Sequence, residues 1–280
     1  MKAAELRADE MPAAEVQGAV DALRGRSIAV LTGAGVSTDS GIPDYRGEGA
    51  PVRNPMTLQQ FLADDAHRRR YWAGSHLGWR RFAGIHPNPG HLALAAMERA
   101  GRVTGVLTQN VDGLHRRAGS QRVVELHGAM GQVRCLNCGQ LFARQEIAAR
   151  LSAANPWIDD TEEVELAPDG DVATDRLDGF VIPECTVCGG MLKPDVVFFG
   201  ELIPSDRFHA AAALVRQAEA LLIAGSSLVV NSGIRLLDIA VKRRIPVVIV
   251  NRGPTKGDTR ATVRLEAGTS ETLAALAKSL

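Results

Sequence analysis

The 280-residue chain lacks net charge, because 32 Lys and Arg side chains offset 32 Asp and Glu. Balanced charge offers no broad attraction to nucleic acid or an anionic membrane, although local basic patches remain allowed. The chain also lacks any apolar run near the roughly 20 residues that crossing a bilayer requires. Its opening stretch, MKAAELRADEMPAAEVQGAV, has no apolar centre of the kind a secretion signal carries. Glu5, Asp9, Glu10 and Glu15 are out of keeping with an acid-poor mitochondrial presequence. A cytoplasmic protein is therefore expected. Cysteine is scarce too, at four residues. A chain this long buries roughly three quarters of its unfolded surface and needs no crosslinks to hold a core. With 45% apolar and 23% charged residues it has the balance of an ordinary globular protein, which excludes disorder and fibre. No internal repeat or low-complexity tract is present.

Four aliphatic runs have the character of buried parallel strands: SIAVLT (27–32), VTGVLT (103–108), ALLIAG (220–225) and PVVIVN (246–251). RVVEL (122–126) is a shorter fifth. Helical patterns such as 88–100 and 206–218 separate them, which predicts right-handed crossovers and an α/β, doubly wound parallel sheet. Ligands of such sheets sit beyond the C-terminal strand ends. The informative loops should therefore begin at Gly33, Gln109, His127, Ser226 and Asn251. Two stretches break the rhythm, 49–87 and 131–200, the second with a polar insert at 156–179. Both look like insertions that pack together as a smaller domain.

Every cysteine lies in the second insertion, as Cys135-x-x-Cys138 and Cys185-x-x-Cys188, each pair followed by Gly. Two intervening residues let both sulfurs of a turn face one ion, so the two knuckles together suit a tetrahedral Zn²⁺ with four thiolates. Buried free thiols and redox disulfides are the alternatives. Four ligands leave no open position, so such a zinc would be structural. A ribbon of this kind can also bind nucleic acid, but this segment carries only Arg134, Arg144, Arg150, Arg176 and Lys193 as cations among many carboxylates.

The run 27–32 leads into Gly33-Ala34-Gly35-Val36-Ser37. Missing side chains there let backbone N–H groups approach a pyrophosphate at a helix N-terminus. A plain tight turn is the alternative. The third glycine of the dinucleotide fingerprint would fall at Thr38, and no acid ends the next strand at the expected distance. A dinucleotide would therefore bind differently from the way it binds an ordinary dehydrogenase. Downstream, Gly41-Ile42-Pro43-Asp44-Tyr45-Arg46-Gly47 is suited to closing over a ligand. Gly225-Ser226-Ser227 and Asn251 end two further strands with small polar groups. Three loops compatible with phosphate or ribose thus fall at one sheet edge.

Past the second run, Gln109, Asn110 and Asp112 offer amides and a carboxylate to ribose hydroxyls and a carboxamide. His127 follows the fifth run at the same edge, and imidazole is the side chain best suited to proton transfer near neutral pH. His67, His76, His86, His91 and His209 are expected to be structural, and His115 to brace its loop.

GAGVSTDSGIPDYRG, TQNVDGLH, ELHG, the paired C-x-x-C, KPDVVFFGE and GSSLVV, in this order, resemble the sirtuins. RRRYWA, HPNPGH, LAPDGDV and GGMLKPDVVFFGE are most similar to the class II branch, whose members include mitochondrial lipoyl-type deacylases and proteins with ADP-ribosyl transfer. The resemblance implies a discontinuous Rossmann-like NAD-binding domain (1–48, 88–130 and 204–280), a helical module (49–87) and a zinc-binding module (131–203), with a cleft between the large and small domains. It implies an NAD-dependent protein lysine deacylase, in which the acyl-lysine oxygen attacks C1′ of the nicotinamide ribose and nicotinamide leaves. The acyl group ends on ADP-ribose and free lysine is released. NAD is then a co-substrate and is not reduced. A mono-ADP-ribosyltransferase on the same fold and a non-catalytic NAD-sensing module are the alternatives.

The roles that the resemblance implies follow motif by motif. Gly33, Ala34 and Gly35 line the pyrophosphate, and Asp44, Tyr45 and Arg46 belong to the loop that shields the ribosyl centre from water. Ile42 and Asp112 seat the carboxamide, while Gln109 and Asn110 contact the nicotinamide ribose. Gly225, Ser226, Ser227 and Asn251 hold the phosphate and adenosine half, with Thr269 at an adenine contact. His127 takes a proton from a ribose hydroxyl, with Asn110 beside it in the catalytic pair. Acyl-lysine peptides add as a strand along Val197, Phe198, Phe199, Gly200 and Glu201 and against Leu228. No nucleic acid or membrane partner is expected. Members that remove succinyl-like groups carry Tyr-x-x-Arg, whereas here Tyr71 is followed by Gly74, which disfavours that clamp unless Arg68, Arg69, Arg70, Arg80 or Arg81 substitutes. Phe61, Trp72, Trp79 and Phe82 either line a long acyl pocket or fill the small-domain core.

Overall fold

The computed structural model describes residues 13–44, 55–160 and 179–280. Six parallel strands form its larger sheet: β1 (Ile28–Thr32), β2 (Val103–Thr108), β3 (Val123–Glu125), β7 (Ala220–Ala224), β8 (Val247–Val250) and β9 (Val263–Leu265). Their spatial order is β3-β2-β1-β7-β8-β9. The crossovers reverse direction between β1 and β7, so the crevice of this doubly wound sheet opens beyond the carboxyl ends of those two strands.

Strands β1, β7 and β8 are buried at every position, as parallel strands covered on both faces must be. Their side chains divide with a period of two. Ile28, Val30, Leu222, Val248 and Val250 pack with α1 (Ala13–Leu23), α4 (Pro89–Arg99) and α9 (Thr269–Ser279). Ala29, Leu31, Leu221, Ile223 and Ile249 pack with α7 (Ser205–Gln217) and α8 (Asn231–Lys242) on the other face. The four principal runs of the sequence therefore fall within a residue or two of observed strands. β9, with Arg264 at its centre, has no such run to mark it.

A second, three-stranded antiparallel sheet joins β5 (Leu141–Ala143), β4 (Gly128–Cys135) and β6 (Leu192–Val196) in that order. Helix α6 (Arg144–Ala154) follows β5. Residues 55–87 contain α2 (Leu58–Ala63) and α3 (Asp65–Gly84). Each starts at a side-chain cap: Thr57 accepts from the backbone of Gln60, and Asp64 from that of His67. One apolar cluster, including Phe61, Trp72, Phe82, Val133, Ile147 and Phe198, fuses these helices to the small sheet. The short helix α5 (Leu114–Arg117) adds Leu114 to it.

The two central strand ends meet without side chains between them. Gly35 N–H donates to Gly225 O at 2.9 Å. A Cβ on Gly33 would stand 2.7 Å from Gly225 O, and one on Gly225 would stand 2.3 Å from Val36 N. Gly225 also has φ +63°, in the left-handed region. Gly225→Ala is expected to cost about 2–4 kcal/mol through overpacking and backbone strain, read as a lower denaturant midpoint with unchanged slope.

Candidate active site and metal centre

One cavity of about 970 Å³ opens at the crevice beyond β1 and β7, near the top of the size range of cofactor sites. Gly33, Ala34, Gly35, Ile42, Asp44, Gln109, Asn110, Asp112 and His127 stand on its wall. So do Gly225, Ser226, Ser227, Leu228, Asn251 and the whole segment Val197, Phe198, Phe199, Gly200, Glu201. The imidazole of His127 and the glycine turn thus share one chamber. Tyr45 and Arg46 lie outside the described residues. Thr269 is buried behind the turn instead of on the wall, and its hydroxyl donates to Gly35 O at 3.1 Å.

His127 is half-buried at the junction of the two sheets, directly before Gly128. Gly128 has φ +83°, and a Cβ there would lie 1.9 Å from Asp195 O, so the chain can turn from β3 into β4 only with glycine. Val197 N–H donates to His127 O at 2.7 Å, which ties the start of the Val197–Glu201 segment to the histidine backbone. On the ring, Nδ1 lies 2.8 Å from Gln109 O, and Nε2 lies 3.3 Å from Ser232 Oγ. A carbonyl can only accept, so Nδ1 carries the proton and Nε2 presents its lone pair. Burial lowers the pKa of His127 from the ordinary 6.5, opposed by the bond to the Gln109 carbonyl.

The amide-rich turn is held from several sides. Asn110 Nδ2 donates to Gly33 O at 3.1 Å and to Ser37 Oγ at 3.0 Å, which leaves its Oδ1 as the acceptor offered to the chamber. Asp112 accepts from Ser37 Oγ at 2.7 Å and from Leu114 N at 2.8 Å. Ser226 Oγ donates to Gln109 Oε1 at 2.7 Å, and Gln109 Nε2 donates to Ser232 Oγ at 3.3 Å. Behind this layer His115 Nε2 reaches Thr32 Oγ1 at 2.9 Å, and its ring lies 4.7 Å from that of His91. Burial holds His115 well below the ordinary histidine value and lowers His91 to about 4, so both serve as neutral braces. Ser232, buried in the first turn of α8, is the residue that sequence reading misses, because NSGIRL at 231–236 matches no chemical motif.

One part of the chamber wall is apolar, with Ile42, Met56, Tyr71, Val111 and Phe198 on it. Phe61 and Tyr71 pack edge-on at 5.6 Å, and Tyr71 meets Phe198 at 4.8 Å. Phe61, Trp72, Trp79 and Phe82 stand in the small-domain core instead of on the wall. Of the two roles open to them, they fill the core. Arg68, Arg69, Arg70, Arg80 and Arg81 are likewise absent from the described wall. Lys193, buried over Phe198 at 4.4 Å, bonds Glu201 at 3.0 Å and so pins both ends of the Val197–Glu201 segment. Phe199 reaches the helical module, where Leu58 N–H donates to Phe199 O at 3.0 Å.

The four cysteine sulfurs lie within 4.8 Å of one another, with Cys135 to Cys188 at 3.6 Å and Cys138 to Cys185 at 3.8 Å. Tetrahedral thiolates bound to zinc at ~2.3 Å would have sulfur separations of about 3.8 Å, so the donor set fits the ion. Gly139 and Gly189, at φ +76° and +67°, let each knuckle fold back, and their N–H groups donate to Cys135 O and Cys185 O. Backbone N–H groups of Cys138 and Asn137 pull the Cys135 thiol down to about 6, while crowding by the Cys138 and Cys135 sulfurs pushes Cys188 up to about 12. All four can be thiolates only around a cation. One zinc per chain is expected by elemental analysis, and chelation or Cys135→Ser should remove it together with cooperative melting of the small sheet.

Comparison with known proteins agrees with this geometry. A model of the Sir2 family matches residues 33–232. Over 271 residues the chain is 52% identical to NAD-dependent protein deacetylase 1 of Mycobacterium avium (strain 104), covering 95% of this chain and 96% of that protein. It is 43% identical over 256 residues to the mitochondrial NAD-dependent protein lipoamidase sirtuin-4 of Bos taurus, covering 89% and 81%. A solved Sir2 structure with a p53 peptide and NAD+ superposes with a TM-score of 0.76 at 30% identity, covering 94% of this chain and 97% of that one. These matches make this chain, with its glycine turn and histidine on one chamber and its four-cysteine centre, a member of the Sir2 family, the sirtuins.

Proposed function

We propose that the chain is an NAD-dependent protein lysine deacylase that transfers the acyl group to ADP-ribose, with one structural zinc. The observation that carries this reading is the single chamber shared by His127 Nε2 and the glycine turn. Bound NAD supplies a ribosyl carbon that accepts the acyl oxygen as nicotinamide departs. The glycine turn at 33–35 and Gly225–Ser227 would flank the pyrophosphate, two loops that a Cβ on Gly33, Gly35 or Gly225 would force apart. Asn251 serves the adenosine half. Asn110 and Asp112 orient the nicotinamide end. Thr269 acts indirectly, by fixing Gly35. His127 Nε2 accepts the proton of a ribose hydroxyl, while the Gln109 carbonyl keeps Nδ1 protonated. Ile42, Met56 and Phe198 exclude water from the reacting carbon.

The peptide adds as a strand along Val197–Glu201 and against Leu228, using backbone bonds that tolerate many sequences. Tyr71 on the wall, with Gly74 where the clamp would have arginine and Arg68, Arg69, Arg70, Arg80 and Arg81 off the wall, supports apolar acyl groups over dicarboxylic ones. We assign residues 1–48, 88–130 and 204–280 to the nucleotide-binding domain, and 49–87 and 131–203 to the helical and zinc modules. Two separate sheets support a division into these domains, with β4 of the small sheet starting at Gly128, inside the range 88–130. No described helix is long and apolar enough to cross a membrane. Nucleic acid has no part in this reading. Arg144 and Lys193 are buried, Arg134 pairs with Asp195, and Arg150 bonds Glu184 O, so little of the ribbon's positive charge remains for phosphate. Cytoplasmic placement belongs to the same proposal and rests on composition alone.

Incubation with NAD and acyl-lysine peptides should release nicotinamide and acyl-ADP-ribose in equal amounts, with apolar acyl groups turned over faster than succinyl. No release across acetyl, propionyl, long fatty and lipoyl groups would defeat the reading, and label from NAD fixed on protein would favour ADP-ribosyl transfer. His127→Ala should lower kcat by at least ~10²-fold with NAD affinity nearly intact. The base works only when neutral, and its pKa lies below 6.5. The acid limb of kcat/KM should therefore fall below that pH, and a limb above it would contradict the assignment.

A further inference from the structure

The hydrogen-bond directions around His127 can be followed atom by atom. Gln109 touches the ring twice, once through its backbone carbonyl at Nδ1 and once through its side chain by way of Ser232. The amide hydrogen of Gln109 Nε2 points at Ser232 Oγ, and Gln109 Oε1 is already occupied by the Ser226 hydroxyl. Ser232 Oγ thus accepts from Gln109, and its single hydrogen faces the lone pair of His127 Nε2 at 3.3 Å. The imidazole is anchored at both nitrogens, and both anchors begin at one residue. Ser232 itself is 4% exposed and fixed by the first turn of α8, so its hydroxyl sweeps little volume.

We propose that Ser232 is a positioning residue for the proton-accepting His127, its donated bond holding the neutral ring with Nε2 as the acceptor in the free protein until a ribose hydroxyl takes the place of the serine hydrogen. The inference rests on reading His127 as the base. When the ribose proton moves to Nε2, the Ser232 hydroxyl rotates and its oxygen accepts from the new N–H. The proton stays on His127, and no bond to Ser232 is made or broken. In the free protein the arrangement favours neutral imidazole. Protonating Nε2 would break the bond that the Ser232 hydroxyl donates to it, and the hydroxyl would have to turn before its oxygen could accept from the new N–H. The charged or titratable groups on the same wall are Asp44, Asp112, Glu201, His209, Arg235 and Arg252. None of them forms an ion pair or hydrogen bond with the ring, and Glu125, two residues before it, is engaged by Arg116. All of these remain in a Ser232 variant, so a change in titration reports the hydroxyl.

The test is an NMR titration of the His127 ring in the full chain without NAD or peptide, for wild type, Ser232→Ala and Ser232→Thr. Ser232→Ala should raise the midpoint by about half a unit or more, and Ser232→Thr, which keeps the hydroxyl, should restore it. With NAD and an acetylated peptide, Ser232→Ala should lower kcat about tenfold with KM and NAD affinity changed by less than about twofold. An unmoved midpoint in folded Ser232→Ala, or equal loss in the Thr variant, would overturn the proposal. If the Ala variant fails to fold, Ser232→Gly carries the same titration. A raised midpoint supports the positioning role even if no acyl transfer is detected, so failure of the deacylase reading and failure of this inference are separately visible.

Discussion

The site depends on two strand ends touching backbone to backbone. β1 and β7 are adjacent in the sheet, yet their connections leave in opposite directions, so the loops after them must diverge around an opening. Gly35 N–H to Gly225 O closes the floor of that opening, and glycine at 33, 35 and 225 lets the floor be made of peptide groups alone. A side chain at any of the three would lift one loop off the other. The buried hydroxyl of Thr269 bonds Gly35 O from beneath and fixes the turn from the side away from ligand. Rigidity at the floor is what lets the Asn110 and Ser37 contacts specify the next layer.

The second layer is polar and directional. Asn110, Asp112, Gln109, Ser226 and Ser232 each have bonds that settle which face is donor and which acceptor. Such pre-orientation matters more than affinity in a site that must stabilise charge for a short time, because groups already aimed need not reorganise. The histidines divide by the same logic. His115 and His91 are buried with neutral partners and cannot take up a proton at ordinary pH, whereas His127, half-exposed to the chamber, can.

The larger sheet was legible because parallel strands covered on both faces are continuous apolar runs, with no alternation to misread. SIAVLT and PVVIVN need little more than that. β9 was not legible, since three residues centred on Arg264 hold an edge position through pairing with β8 and give no run. The small sheet was also hidden. β4 has an irregular burial pattern and a register shift between Gly128 and Val133, so its strand signal is broken where it turns at the histidine. Site residues in motifs were readable: apart from Thr269 and the four cysteines, which gather at their own centre, all those described reach the chamber wall. Ser232 was not, because its role comes from the first turn of α8 packing against Gln109, a contact 123 residues apart in the chain. The aromatic residues of the helical module could not be sorted from sequence either. Whether Trp72 fills a core or lines a pocket depends on which face of α3 meets the small sheet.

The zinc module lies far from the reacting atoms, yet its register reaches them. β4 and β6 pair antiparallel, with Cys135 opposite Leu192 at one end and Gly128 opposite Val196 at the other. Seven residue steps of β4 but only four of β6 separate these two ends, because the register shifts between Gly128 and Val133. β4 runs from His127 into the first cysteine knuckle and β6 runs from the second knuckle to Val197, so each strand joins a knuckle to the chamber. The bond from Val197 N to His127 O is thus the last rung of a ladder whose first rung is set by four sulfurs. A slip of one residue would turn every β6 side chain to the opposite face. Lys193 would then lose Glu201, Asp195 would lose Arg134 and Arg207, and Phe198 would leave the apolar wall. The ion need not polarise anything to matter for chemistry. Held by four sulfurs at one end, the small sheet keeps the pairing that brings Val197 to the histidine at the other.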